Sequence, residues 1–414
     1  MKGLLLTRLL VPLVLGACTD DSEPTLDYAH ENPWPQGPRL PPIGGGRIVV
    51  TNSMDDTVSL LDLDALDTPA WGELARVPVG LNPVELEGPH HAAFSPNGDF
   101  YYVGLSYSVP GAGSGPHGAH GTGTADGYCL KLDATTNQLV ASTRVDRNPG
   151  DLVLSRDGRT LYQTHFDLLR VQEVAKRGGT REEMNATLAI IDTDTMKVRK
   201  KVSVCPAPHA VRLSPDETRA YVACISDEVA VVRLDDPAYP VTLVPLPQAG
   251  SPVSPRHSPY ALTSSHTDGG LWVSTLNGPT VYALDPNTLR IVPERSVVPE
   301  GGDPLRQGIP MFGDVSEDGR TLYMPFQRVD AVAIIDVTGE KPFVKETIEL
   351  APEGCLNVHQ VTLLPQGRRA LAVCEGDHVG PGTLHVLDLE TREVVRTVKV
   401  GIYPDSVGIL RRRP

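Results

Sequence analysis

Apolar positions in this chain come in short runs broken by Pro/Asp/Gly turns, and the arrangement returns about every 50 residues. Three copies show it best: Phe94-Ser-Pro-Asn-Gly98 before Tyr101-Tyr-Val103, Leu154-Ser-Arg-Asp-Gly158 before Leu161-Tyr162, and Leu213-Ser-Pro-Asp216 before Tyr221-Val-Ala223. Val315-Ser-Glu-Asp-Gly319 before Leu322-Tyr-Met324 is a fourth. Each is a strand, a tight turn and a second strand, the pattern of a β-hairpin. A third apolar run ending in aspartate follows each hairpin, as in Leu188-Ala-Ile-Ile-Asp192 and Val332-Ala-Ile-Ile-Asp336, and then a fourth run. Four antiparallel strands per repeat make a propeller blade.

Alignment on the strand-turn position gives Ser95, Ser155, Ser214, Ser265, Ser316 and Leu364. Six units are complete. The C-terminal run Asp405–Leu410 supplies a first strand, and Arg47–Asn52, Thr57–Leu63 and Leu74–Val79 supply the other three. The prediction is an all-β, seven-bladed β-propeller over residues 47–414, its ring closed by N- and C-terminal strands in one blade. Closure removes a free sheet edge. Phe166 to Met184 is predicted to be an insertion with a short helix.

The segment Val49-Val50-Thr51-Asn52, second strands of the Tyr221-Val222-Ala223 type and Ser-Pro-Asp-Gly turns together resemble the YVTN-repeat seven-bladed propellers. That resemblance implies a secreted or cell-surface binding protein and carries over no catalytic residue. Residues 1–17 read as a secretory signal with a basic start and a short apolar stretch. Leu15-Gly16-Ala17-Cys18 resembles the lipobox of bacterial lipoproteins, which implies a diacylated Cys18 as the membrane anchor. Residues 18–46, rich in Pro and Gly, read as a tether that cannot fold on its own. The expected location is the cell envelope, at the outer membrane rather than the inner. The full chain has a formal net charge of −14. Removing Lys2 and Arg8 with the signal leaves 35 basic against 51 acidic residues, which argues against nucleic-acid binding.

Candidate chemistry gathers on the face where first strands begin and second strands end. His91, His117, His120, His165, Tyr260, His378 and Asp405 are candidates there for binding a protein or small-molecule partner. The position five before the strand-turn residue faces the central channel. Its occupants are His90, Gly150, His209, Tyr260, Met311, His359 and Asp405. Imidazole with thioether suits copper, and imidazole alone suits copper, zinc or nickel. His90, His209, His359 and Met311 are therefore a candidate metal set. The alternative is that a Pro-His start decorates the repeat and bonds backbone or water. Nitrous oxide reductase propellers place histidines similarly, but they need more of them than this ring offers.

Cys205-x3-His209-x14-Cys224 and Cys355-x3-His359-x14-Cys374 repeat one pattern. In an oxidising compartment they predict disulfides Cys205–Cys224 and Cys355–Cys374, with a Cys2His metal site as the alternative. Cys129 reads as a buried apolar residue. The leading expectation is a non-catalytic binding propeller with no cofactor. A copper or zinc protein is the second reading, and a lactonase-like hydrolase using Asp405 is the third.

Overall fold

A computed structural model describes residues 46–80, 86–107, 120–265, 267 and 269–411. The signal, the lipobox cysteine and His117 lie outside them. Seven antiparallel sheets form a ring of blades. Blade 1 is built from Glu87–Phe94, Phe100–Tyr107, Asp126–Asp133 and Leu139–Arg147. Blades 2, 3 and 4 begin at Pro149, Pro208 and Pro259, and blade 6 begins at Val358. Blade 7 pairs Pro404–Arg411 with Gly46–Asn52, followed by Thr57–Asp62 and Glu73–Pro78, so the two ends of the chain close the circle as predicted. Blade 5 departs from the regular plan. Its first strand is split into Ile309–Pro310 and Asp314–Val315, and between them Phe312 bridges to Gln360 of blade 6.

The turn sequence explains the regularity. In the blade 2 turn, the Ser155 hydroxyl donates to Asp157 Oδ1 (2.6 Å) and accepts from the Thr160 N–H (3.0 Å). Gly158 takes φ +73°, which a glycine adopts without strain. Ser214 with Asp216 and Ser316 with Asp318 repeat the bond. The aspartates that end third strands cap the next turn; Asp133 Oδ1 accepts from the N–H groups of Thr135 and Thr136.

Apolar residues pack between blades. Val49, Val58 and Leu60 of blade 7 share a cluster with Tyr101, Val103 and Leu130 of blade 1. Leu188, Ile190 and Val202 of blade 2 do the same with Val211, Val222 and Ala230 of blade 3. The insertion after blade 2's second strand holds a helix, Leu168–Lys176, capped by the Asp167 carboxylate on the Arg170 N–H (3.0 Å). Its buried Val171 and Val174 pack beside Phe166 and Ile225. Cys205–Cys224 and Cys355–Cys374 are disulfides, each tying the approach to a first strand to the end of the second. Cys129 is buried and unbridged, and burial pushes its thiol up to about 12.

Three aspartates, all with positive φ, fasten one blade to the next. Asp227 accepts from the His257 and Ser258 N–H groups, Asp330 from Val358, and Asp56 from Glu87. Burial raises the Asp56 carboxyl to about 7, and the neighbouring Glu87 and Asp55 charges add to the shift. The unfolded chain ionises Asp56 near 3.8, so the fold favours the protonated form. This contribution to stability is present at low pH and is lost as pH rises from about 4 to about 7. Asp56→Asn keeps the acceptor oxygen and removes the titration. Thermal denaturation should show wild type losing stability relative to the variant across that interval; parallel profiles would contradict it.

Candidate metal centre on the ring axis

Five of the seven blades aim their ring residue by the same device. A residue with positive φ comes two positions earlier: Asn148, Ala207, Ser258, Asn357 or Tyr403. In blades 1 to 4 and blade 6 the register then shifts just after the strand starts, as between Pro89 and Ala92 or Pro208 and Val211. Such a bulge turns a side chain out of the pleat, and here it points inward. His90, His209, Tyr260, Met311, His359 and Asp405 are all buried.

His90, His91 and His209 form one group, with ligand nitrogens within 4.8 Å of one another. His90 Nδ1 bonds the Asp405 carboxylate. His209 Nδ1 faces the Tyr260 carbonyl at 3.0 Å. His91 Nδ1 lies 3.5 Å from Asp151 Oδ1, and its Nε2 is buried with no hydrogen-bond partner. The Nε2 atoms of His90 and His209 stand 2.9 Å apart. Burial lowers His91 to about 3 and puts His209 well below the usual imidazole range, so both rings are neutral in the metal-free protein.

Beside this group lies a second. His359 Nδ1 is 2.9 Å from Asp405 Oδ1, and its Nε2 is 3.9 Å from Glu375 Oε1. Gln327 donates to Glu375 Oε1 (3.1 Å), and His378 Nε2 meets Oε2 (2.8 Å). Burial alone would lower His359, but the Asp405 and Glu375 carboxylates outweigh it and raise the ring to about 9. Burial opposes the charge on Asp405 too. The surrounding His90, His359 and His120 nevertheless hold its carboxyl well below the usual range. Burial pushes Glu375 well up. The chemistry is a buried His359–Asp405 ion pair with the Glu375 carboxyl beside it.

The sequence candidates separate. His90 and His209 come together, joined by His91. His359 sits across Asp405, in the second group. Met311 packs in an apolar cluster with Tyr260 and Phe312. His120 lies edge-on to His90 (ring centres 4.2 Å apart) and stacks on Tyr403 (5.1 Å), and His378 also stacks on Tyr403 (3.8 Å). His165 joins neither group; its Nδ1 lies on Thr187 O of its own blade and its Nε2 accepts from the Asp146 N–H of blade 1. The sequence reading missed Glu375, Phe166 and Tyr403. Its own register locates two of them, since Phe166 and Glu375 each follow a strand-turn residue by eleven positions, as Gln327 does.

The binding face was expected where the insertions lie. The large cavity instead runs from the hairpin turns, at Pro96, Ser155 and Arg156, to His91 and Asp151. It is a channel of about 600 Å³ on the axis, walled by first strands. On the insertion side the space beside His90 and His120 is only about 10 Å³, the size of one water.

Compared by sequence, no family model and no curated protein matches the chain. Solved structures match its fold. The periplasmic gluconolactonase PpgL of Pseudomonas aeruginosa has a TM-score of 0.62 at 15% identity, covering 89% of this chain and 100% of that one. A functionally unknown protein from Desulfotomaculum acetoxidans gives 0.62 at 12% identity, covering 89% and 99%. Kuenenia stuttgartiensis hydrazine synthase gives 0.56 at 16%, covering 78% and 96%. Together they establish that this chain is similar to seven-bladed propellers in architecture, and at these identities the likeness extends to the fold alone.

Proposed function

We propose that this protein is an envelope propeller that holds one transition-metal ion on its axis through His90, His91 and His209. The lipobox-like Leu15–Cys18 segment supports export and a lipid anchor. One observation carries the metal reading. Only oxygen acceptors stand opposite the Nδ1 atoms of His90 and His209, so each ring carries a proton on Nδ1. Their Nε2 lone pairs then confront each other at 2.9 Å, a repulsive contact unless a cation lies between. Nitrogens about 2.0–2.1 Å from one ion stand roughly 3 Å apart. Imidazoles whose far nitrogen is held by a carboxylate or carbonyl are the usual dress of a metal ligand. An all-imidazole set suits copper or zinc. His359 and Met311 drop out of the first proposed set because one pairs with Asp405 and the other is packed in apolar surroundings.

Elemental analysis after loading with copper or zinc, followed by dialysis, tests this. Wild type should keep about one equivalent, and His91→Ala and His209→Ala should each keep almost none. A shared proton is the competing cation. Wild type that stays metal-free would assign the contact to a proton-bridged imidazole pair and end the metal reading.

A further inference from the structure

His91 belongs both to the three-histidine group and to the floor of the turn-face channel. The channel walls hold many polar groups, but most are already committed. Asp151 accepts from the N–H groups of Leu152 and Val211 and from Arg212. Asp314 accepts from the N–H groups of Val315 and Leu363. Gln360 donates to Thr362 Oγ1 and the Val407 carbonyl and accepts from the Val407 N–H. The Thr263 hydroxyl takes the Gly313 N–H. A neutral polyol would find few partners here.

Arg212 is different. Its Nη1 is spent on Asp151 Oδ2 (2.5 Å) and the Val211 carbonyl (2.6 Å), and its guanidinium lies 5.6 Å from the Phe312 ring centre. These contacts fix the plane. Among the described residues, Nε and Nη2 make no hydrogen bond, and about a quarter of the side chain is exposed. The Nε–Nη2 edge is a two-pronged donor matched to a carboxylate. Deeper in, the buried His91 Nε2 has no partner. The volume of about 600 Å³ is that of a small-molecule site.

We infer that the turn-face channel binds a small organic carboxylate, gripped by the Nε–Nη2 edge of Arg212 and reaching the histidine centre at His91. Its last clause rests on the metal reading; the carboxylate grip does not. Asp151 links the two, since one carboxylate positions both His91 and Arg212.

The test uses acetate and benzoate as probes, in two arms. In the metal-free protein, each anion is titrated by calorimetry or by the NMR signal of the Arg212 side chain. Saturable binding is expected, weakened about tenfold or more by Arg212→Gln. Arg212→Lys keeps the charge near Asp151 and loses the fork, so it should also weaken binding while the thermal midpoint stays near wild type. In the copper-loaded protein, the same anions should change the copper EPR spectrum, and less so in either variant at equal copper content. No binding in the metal-free arm, or binding unaffected by both substitutions, overturns the inference. Binding in the first arm with an unchanged copper spectrum confines the carboxylate to Arg212 and overturns its reach to the centre. A wild type that takes up no copper defeats the metal reading and leaves the first arm to decide the grip.

Discussion

Asp405→Ala is expected to lower stability by about 3–5 kcal/mol, the usual cost of stripping one partner from a buried charge network. The Asp405 carboxylate is fully buried. One oxygen meets His90 and the Ser53 hydroxyl (3.1 Å), with His120 at 3.6 Å; the other faces His359 at 2.9 Å. Alanine leaves a raised-pKa His359 without its main counter-charge and frees the His90 ring to turn. Asp405→Asn separates the two consequences. It keeps the shape and an acceptor oxygen but removes the charge. It should therefore fold with a smaller loss, while copper or zinc affinity falls 10–100-fold, as when a supporting carboxylate behind a ligand histidine is lost. Denaturant unfolding and metal titration measure the two effects. An asparagine variant that binds metal as wild type does would show that His90 needs no carboxylate behind it.

The disulfides give the second large effect. Each closes a loop with a sequence separation of 19 residues, so removing either should cost roughly 3 kcal/mol in the chain-entropy description. One joins the last strand of blade 2 to blade 3, and the other ties the approach to blade 6 to that blade's second strand; the two are well apart on the ring, and their losses should add. Their effects on metal should not match. Cys205–Cys224 brackets His209, whereas Cys355–Cys374 brackets His359, which pairs with Asp405 and Glu375 outside the three-histidine group. The Cys205→Ala/Cys224→Ala variant should lose metal affinity as well as stability, and the Cys355→Ala/Cys374→Ala variant stability alone. Equal loss of affinity in both would place His359 among the ligands after all. Thermal midpoints with and without reductant, beside metal titration, read this out.

The ring was legible because its signals are local and repeated. A serine-aspartate turn, an aspartate after the third strand and a constant strand spacing each act within a few residues, and the same register located the two disulfides. The site was legible only as a list of inward-facing positions. Which members meet depends on ring geometry at the scale of a side chain. His90 and His209 lie in blades 1 and 3 and meet although blade 2 stands between them, where the ring position is Gly150. His91 sits one place after the ring position, where Asp151, Phe312 and Gln360 stand in other blades; strict strand alternation would turn that place away from the axis, and the register shift after Pro89 brings it in. Met311 matches the pattern, and its surroundings differ for a related reason. The broken first strand of blade 5 sends Phe312 across to Gln360, and the thioether settles among aromatics.

The pairing of Gly46 with Arg411 has a further consequence. First strands run toward the turn face, so the last of them leaves the ring there, and the strand opposite begins there. Among the described residues, the chain therefore enters the ring at Gly46 and leaves it at Arg411 beside the channel mouth, on the side away from His120. A bulky group attached close behind Arg411 would shade the opening through which small solutes reach Arg212.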